Sequence, residues 1–500
     1  MAAIAAVMAD SGAELPYSEL DRRSIQLSHL LRAGGLAAGD RVAILLENRL
    51  DWYVAMWGIR RAGMLFVPMN WHLTPTEIRY VLDDSDSRAI ITSPLLADVA
   101  RQASEGLEGL SLRLCCGTAP SDFVALDEAL GQYPQEPAVH EPDGTSMLYS
   151  SGTTGYPKGI LRPPENLTFG QPSSLETMIV ARYSIDAETV YLSPAPMYHA
   201  APIGFTGTVL RQHGTIVLME AFDPEATLRA IERYRVTHVQ FVPTHFVRML
   251  RLPAETRARY DLSSLKRVIH AAAPCAPDVK RAMIDWMGPI VSEYYAGSEG
   301  CGATFIESED WLAHPGSVGR SPDNPIHIVD PETGEELPTG EIGTIYFEGS
   351  PGFTYHKAPE KTAAARTAKG WATLGDVGSV DADGYLYLAD RRSDMILSGG
   401  VNIYPLEIEN ALALHPAVAD VAVVGLPDPE FGQVVCAVIQ LLPDSPPPSP
   451  REIIDFARQR LATFKAPRSV VFTDALPRLP SGKLLRRRVL EQQLATKELV

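Results

Sequence analysis

The chain has 500 residues, 45% of them hydrophobic, and a formal net charge of -17. That is ample apolar content for more than one packed core, and so acidic a surface argues against a nucleic-acid or anionic-membrane partner. Cys115, Cys116, Cys275, Cys301 and Cys436 show neither zinc spacing nor a secreted disulfide rhythm, which fits a reducing, cytoplasmic compartment.

The apolar start, residues 1–8, has no basic flank and is not read as a signal peptide. No apolar run approaches the roughly 20 residues of a transmembrane helix. Leu20, Ile25, Leu27, Leu30 and Leu31 predict a helix that stops at Gly34-Gly35. A strand at 41–46, a helix at 52–63, a strand at 64–68, a helix at 77–84 and a strand at 89–92 follow. Such alternation predicts parallel sheets covered by helices. Strands recur at 189–192, 215–218, 238–242 and 267–270. After about residue 320 the strands at 342–347 and 384–388 are short, alternating and set off by Gly turns, which predicts a small antiparallel or barrel-like piece. Beyond residue 393 a small unit has helices at 405–414 and 451–461, strands at 421–424 and 434–441, and a Pro-stiffened loop at 443–448. No internal repeat is evident.

The chain is organised around Tyr149-Ser150-Ser151-Gly152-Thr153-Thr154-Gly155-Tyr156-Pro157-Lys158-Gly159. Hydroxyls and bare backbone N–H groups crowd one turn, as phosphate oxygens require, and Lys158 adds a fixed positive charge. A Walker A loop needs Ser or Thr after its Lys; Gly159 stands there, so that reading fails. In Glu293-Tyr294-Tyr295-Ala296-Gly297-Ser298-Glu299-Gly300, a hydroxyl beside a carboxylate suits a phosphate oxygen and its Mg²⁺. His270-Ala271-Ala272-Ala273-Pro274 closes a strand where open α/β sheets hold ligands; His270 itself reads as a satisfied structural histidine. Four further stretches complete the set. They are Pro196-Met197-Tyr198-His199-Ala200-Ala201-Pro202, Trp371-Ala372-Thr373-Leu374-Gly375-Asp376, Leu397-Ser398-Gly399-Gly400-Val401-Asn402-Ile403-Tyr404-Pro405, and Leu479-Pro480-Ser481-Gly482-Lys483.

Together, and in their order along the chain, these motifs resemble the adenylate-forming superfamily of acyl- and aryl-CoA ligases, luciferases and adenylation domains. The resemblance implies an α/β fold. It has a large N-terminal domain of parallel α/β subdomains plus a barrel-like piece, residues 1–390, and a small mobile C-terminal α+β domain, residues 391–500. It implies ATP and Mg²⁺ as cofactors and CoA as co-substrate. Ser151, Gly152, Thr153, Thr154, Gly155, Ala272, Ala273, Pro274, Glu293, Tyr294, Tyr295, Ala296, Ser298, Asp376 and Arg391 are then expected on the nucleotide, with Tyr295 against adenine and Asp376 on the ribose hydroxyls. Glu299 and Thr154 are expected at the metal, and Lys158, His199 and Lys483 in catalysis.

Ser393 is the implied hinge, where many members carry Asp or Lys; Leu374 stands where the family often has Thr. Small residues at Ala200, Ala201, Gly204, Ala272, Ala273, Gly297 and Gly302 would leave room for an aryl or medium-chain acid, with Phe205 and Phe305 stacking on it. For the acceptor, Gly399 and Gly400 would line a pantetheine tunnel, Phe431 and Phe464 would flank CoA adenine, and Lys465 and Arg468 would meet its phosphates. An amine acceptor, giving an amide, is the alternative; carrier-protein loading and luciferase activity fit less well. A non-catalytic nucleotide sensor is expected to lack Lys483 or Glu299, and both are present. The expected state is monomer or homodimer.

Overall fold

The computed structural model describes residues 3–149, 157–391, 394–398, 401–428, 431–443, 445–478 and 484–497. The predicted early alternation forms a sheet in the order Val124–Ala125, Leu112–Cys115, Ser87–Thr92, Arg41–Leu45, Leu65–Pro68, Thr145–Ser146, every pair parallel. One connecting helix, Pro75–Asp84, starts where its sequence dictates. Thr74 and Glu77 form a reciprocal capping box with Pro75 next in line, the arrangement that satisfies the orphan N–H groups of a first turn.

The second sheet runs Ala303–Ile306, Val291–Ala296, Arg267–His270, His238–Phe241, Val190–Ser193, Thr215–Leu218, Ile4–Met8, Glu14–Pro16. The N-terminal apolar stretch is therefore a strand, paired parallel to Thr215–Leu218. Both edges depart from the all-parallel expectation, since Glu14–Pro16 and Ala303–Ile306 run antiparallel. Short connections explain this: a tight turn allows only an antiparallel return, whereas a parallel one needs a crossover of a dozen residues or more.

Two helices, Ser174–Tyr183 and Ala200–Arg211, cover one face of this sheet, with Phe205 packed against both Tyr183 and Tyr191. A buried charge cluster ties them to the first sheet. Arg60 of helix Asp51–Arg61 bonds Asp143 at 2.7 Å and Glu176 at 3.0 Å, and Arg211 bonds Glu176 and Asp143. Two guanidiniums and two carboxylates satisfy one another there, the condition under which buried charge is tolerated.

The later strands meet the expectation of an antiparallel piece: Ile326–Val329, Gly343–Phe347, Asp376–Val380 and Leu386–Arg391 form one sheet in that order. A three-stranded sheet, Thr354–Tyr355, Gly159–Leu161, Leu148–Tyr149, joins this region to the segment following the Ser/Thr/Gly loop. Residues from Ile396 onward build a further sheet of Val401–Ile403, Ile396–Ser398, Gly432–Leu441 and Val418–Asp428, with Ser469–Thr473 added parallel to Gly432–Leu441. Helices Pro405–Ala413 and Pro450–Arg458 close one face, and Arg486–Lys497 packs Val489 onto the other. The basic start of that last helix is not simply solvated, because Arg486 bonds Asp394 at 2.8 Å and Glu409 at 2.7 Å. No helix among the described residues is long and apolar enough to cross a membrane.

Candidate active site

The strands His238–Phe241, Arg267–His270 and Val291–Ala296 lie side by side; the first two end level at Phe241 and His270, opposite Glu293, and the third runs on to Ala296. Beyond Arg267–His270, Ala272 takes φ +74°, a left-handed conformation that costs a non-glycine residue about 1–2 kcal/mol. Ala272 and Pro274 are exposed there and Ala273 half-buried. The small residues expected around adenine thus form a strained, solvent-facing loop, a combination that clusters at ligand sites.

Beyond Val291–Ala296 the chain turns at Gly297–Gly300, with the Gly300 amide donating to the Gly297 carbonyl at 3.1 Å. Arg162 holds this turn, its Nε and Nη2 donating to the Ser298 carbonyl at 3.1 and 2.7 Å. Glu299 is half-buried on the turn and accepts a 2.8 Å hydrogen bond from the Tyr355 hydroxyl. Lys158 stands 5.0 Å over the Tyr355 ring. Burial and the neighbouring Lys361 ammonium lower the Lys158 pKa from its usual value, against the opposing pull of Glu299. Asp376, 8% exposed, accepts from the Tyr295 hydroxyl at 2.6 Å. The Arg391 backbone pairs with Asp376 across the sheet. Contacts therefore link Lys158 to Glu299 through Tyr355 and Tyr295 to Asp376, with Ser298 on the same turn as Glu299 and Asp376 on the antiparallel sheet.

Other expected residues sit elsewhere. Glu293 is 6% exposed and its carboxylate accepts from Lys280 Nζ at 2.5 Å, under helix Pro277–Met287. It braces the strand from beneath and is not turned toward a nucleotide. His270 is fully buried, and its Nε2 lies 3.4 Å from Glu293 Oε2 without hydrogen-bond geometry. Burial first, then the Lys280 ammonium, hold its pKa well below the usual value, so the ring is neutral and this contact is no ion pair. It is structural, as expected, but unsatisfied. Tyr294 points to the opposite face and accepts from Gln240 Nε2 at 2.8 Å; Ala296 is exposed at the strand end.

His199 caps helix Ala200–Arg211, its ring 4.3 Å from that of Tyr198. Ala200 and Ala201 form the first turn. Phe205 is 3% exposed, stacked on Tyr191 at 5.8 Å and flanked by Tyr183 and Tyr294. Neighbouring rings take its surface, so it is a core residue and does not stack on an acid. Arg182 lies 4.3 Å over the Phe305 ring. The smallness of Gly297 and Gly302 has local causes too: an added Cβ would meet Leu374 at 2.3 Å and Phe347 at 2.4 Å respectively. At Gly204 a Cβ would find only ordinary contacts, so this glycine leaves space beside Leu175 and Ile179.

Ser151, Gly152, Thr153, Thr154, Gly155, Ser393, Gly399, Gly400 and Lys483 lie outside the described residues. Farther along, Arg468 stacks 3.8 Å over Phe431, Phe464 is 54% exposed, and Lys465 is engaged by Glu407 at 2.6 Å. Lys465, expected at CoA phosphates, is paired with a surface carboxylate here.

For a metal, no group of three or more His, Cys, Asp or Glu side chains among the described residues makes a cage. A single carboxylate, Glu299, bridged by Tyr355 to the Lys158 ammonium, fits Mg²⁺, which keeps waters and completes its shell with substrate phosphates. Arg162, Tyr355, Lys280 and Gln240 escaped the motif reading. Lys280 alone had a signal, a lysine on the same helical stripe as Met283 and Ile284.

A profile of the AMP-binding enzyme family matches residues 2–354, and one of the AMP-binding enzyme C-terminal domain matches residues 407–483. The chain is 36% identical to a feruloyl-CoA synthase from an Amycolatopsis species over 481 residues, 96% of this chain and 94% of the relative. ATP-bound MatB from Rhodopseudomonas palustris superposes with a TM-score of 0.84 at 28% identity, covering 98% of this chain and 95% of that one. The amide bond synthetase McbA from Marinactinospora thermotolerans does so with a TM-score of 0.83 at 28% identity, covering 98% and 97%. The chain belongs to the AMP-binding enzyme family, the adenylate-forming ligases that spend ATP to activate a carboxylic acid.

Proposed function

We propose that the protein joins an aryl or bulky medium-chain carboxylic acid to CoA in two steps. In the first, a carboxylate oxygen attacks the α-phosphorus of ATP, the bond to the β-phosphate oxygen breaks, and acyl-AMP and pyrophosphate result. In the second, the CoA thiol loses its proton, its sulfur attacks the acyl carbon, and the carbon–oxygen bond to AMP breaks. The observation that carries this reading is the linked set of Lys158, Tyr355 and Glu299 near the Tyr295–Asp376 pair. It offers charge for phosphates at one end and a ribose acceptor at the other.

Catalysis is positioning plus neutralisation. Lys158 would meet the outer phosphates, Asp376 and Arg391 the ribose, and Lys483, brought from the C-terminal unit by rotation about Ser393, the carboxylate and α-phosphate. Mg²⁺ held by Glu299 and Thr154 would supply further charge for the departing pyrophosphate. His199, at the head of its helix, would position the acid. The likeness to a feruloyl-CoA synthase favours an aryl acid. The Phe431–Arg468 stack and exposed Phe464 favour a nucleotide-bearing acceptor. An amine acceptor is the second reading, favoured by the likeness to McbA.

A panel of hydroxycinnamic, benzoic and medium-chain acids with Mg·ATP, assayed for pyrophosphate, identifies the acid. Mass analysis after adding CoA or amines identifies the acceptor. Thioester formation is expected; amide formation with no thioester would overturn the CoA assignment.

A further inference from the structure

Tyr355 touches both charged side chains, Glu299 and Lys158. Its hydroxyl donates to Glu299 Oε1 at 2.8 Å, and its ring carries the Lys158 ammonium at 5.0 Å. The second distance is within cation–π range. The tyrosine is itself held from several sides. Strand Thr354–Tyr355 pairs with Gly159–Leu161, opposing Tyr355 to Ile160, two residues past Lys158. The Tyr355 amide donates to Thr362 Oγ1 at 2.9 Å, and the next amide, of His356, donates to the Gly159 carbonyl at 2.8 Å. Phe353 packs edge-on against the ring at 5.1 Å. A rigid aromatic thus bridges the turn that bears Glu299 and the segment that bears Lys158.

We infer that Tyr355 is a positioning residue for the metal–phosphate end of the site: its hydroxyl aims the Glu299 carboxylate at Mg²⁺, and its ring sets the Lys158 ammonium on the phosphates. An ionised carboxylate has several lone-pair directions. One bond from Tyr355 fixes its plane and leaves Oε2 and the remaining lone pair of Oε1 to the ion. Arg162 hydrogen-bonds the same turn at the Ser298 carbonyl and only attracts the carboxylate by charge, whereas the directional hydrogen bond to the Glu299 carboxylate comes from Tyr355. Outer-shell partners of metal-binding carboxylates change metal affinity by about 10- to 100-fold.

The inference rests on the ligase reading, and the two fail separately. If the parent shows no acid-dependent ATP–pyrophosphate exchange, the reading fails. If the parent exchanges and the variants below match it, only the role of Tyr355 fails. Tyr355→Phe keeps the ring and removes the hydroxyl; Tyr355→Leu removes both. ATP affinity is measured calorimetrically without acid, once with Mg²⁺ and once with EDTA, and Mn²⁺ binding in the presence of ATP by paramagnetic resonance. Tyr355→Phe should need roughly 10- to 100-fold more metal while binding metal-free ATP as the parent does. Tyr355→Leu should lose metal-free ATP affinity as well. Tighter Mn²⁺ binding by Tyr355→Phe would mean that the hydroxyl competes with the ion, and would overturn the proposal. So would equal losses by both variants in metal-free ATP affinity and melting temperature, the mark of a packing role alone.

Discussion

Asp376 is nearly buried, and its carboxylate accepts from the Tyr295 hydroxyl. Tyr295 thereby ties the residue expected under adenine to the one expected on ribose. Asp376→Ala removes a charged acceptor whose bonds are worth about 1.5–3 kcal/mol each. Apparent ATP affinity should fall at least tenfold, and the preference for ATP over 2′-deoxy-ATP should vanish; retained discrimination would place the ribose elsewhere. Glu293 shows where residue-level reading stops. It and Tyr295 share one strand face by the alternation of a strand, but Glu293 lies two residues deeper, beneath Lys280. Motif spacing carries no information on that depth. Tyr355 was invisible for a different reason, since its role is defined by two partners distant in sequence.

Elements with a clean period were readable, and those built on compromise were not. Strands 215–218 and 267–270 match Thr215–Leu218 and Arg267–His270 residue for residue. Helix Ala200–Arg211 was missed because Pro202, Gly204 and Gly207 give it little intrinsic preference. Its formation comes from burial of Phe205, Val209 and Leu210 on the sheet. Close approaches between elements were likewise hidden. Gly319 has φ +98°, and an added Cβ would lie 2.0 Å from the Phe305 carbonyl oxygen. The glycine also bridges to Leu386, so it joins the large sheet to the antiparallel one. Gly319→Ala combines a forbidden φ with a backbone clash and should cost at least ~2 kcal/mol, read as a lowered urea midpoint. An unchanged midpoint would show that this junction is looser than described.

At the scale of the whole molecule, stability and turnover each have a handle. His245 is buried, stacked 3.9 Å on Phe222, and burial and Arg248 lower its pKa to about 3. Below about pH 6.5 the unfolded chain takes up a proton that the folded one refuses, so this residue's contribution falls as pH drops from 6.5 toward 3. The loss is about 1.4 kcal/mol per pH unit. His245→Gln, which keeps an acceptor and does not titrate, should flatten the fall in stability between pH 7 and pH 5.5 by ~1.3 kcal/mol. Identical profiles would contradict the neutral, buried assignment. For turnover, Lys483→Ala should slow adenylation by roughly 10²–10³-fold, the scale for losing one preorganised charge-stabilising group. Transfer from supplied acyl-AMP should stay nearly intact. A variant that adenylates normally and fails at transfer would assign Lys483 to the other half-reaction.

The central claim is that the acid's own oxygen attacks the α-phosphorus of ATP. Carboxylic acid labelled with ¹⁸O in both oxygens, turned over with Mg·ATP and the acceptor, tests it directly by mass spectrometry of the nucleotide product. The account predicts AMP carrying one ¹⁸O in its phosphate, formed with an equal amount of pyrophosphate. Unlabelled AMP, or ADP with labelled inorganic phosphate, would contradict it.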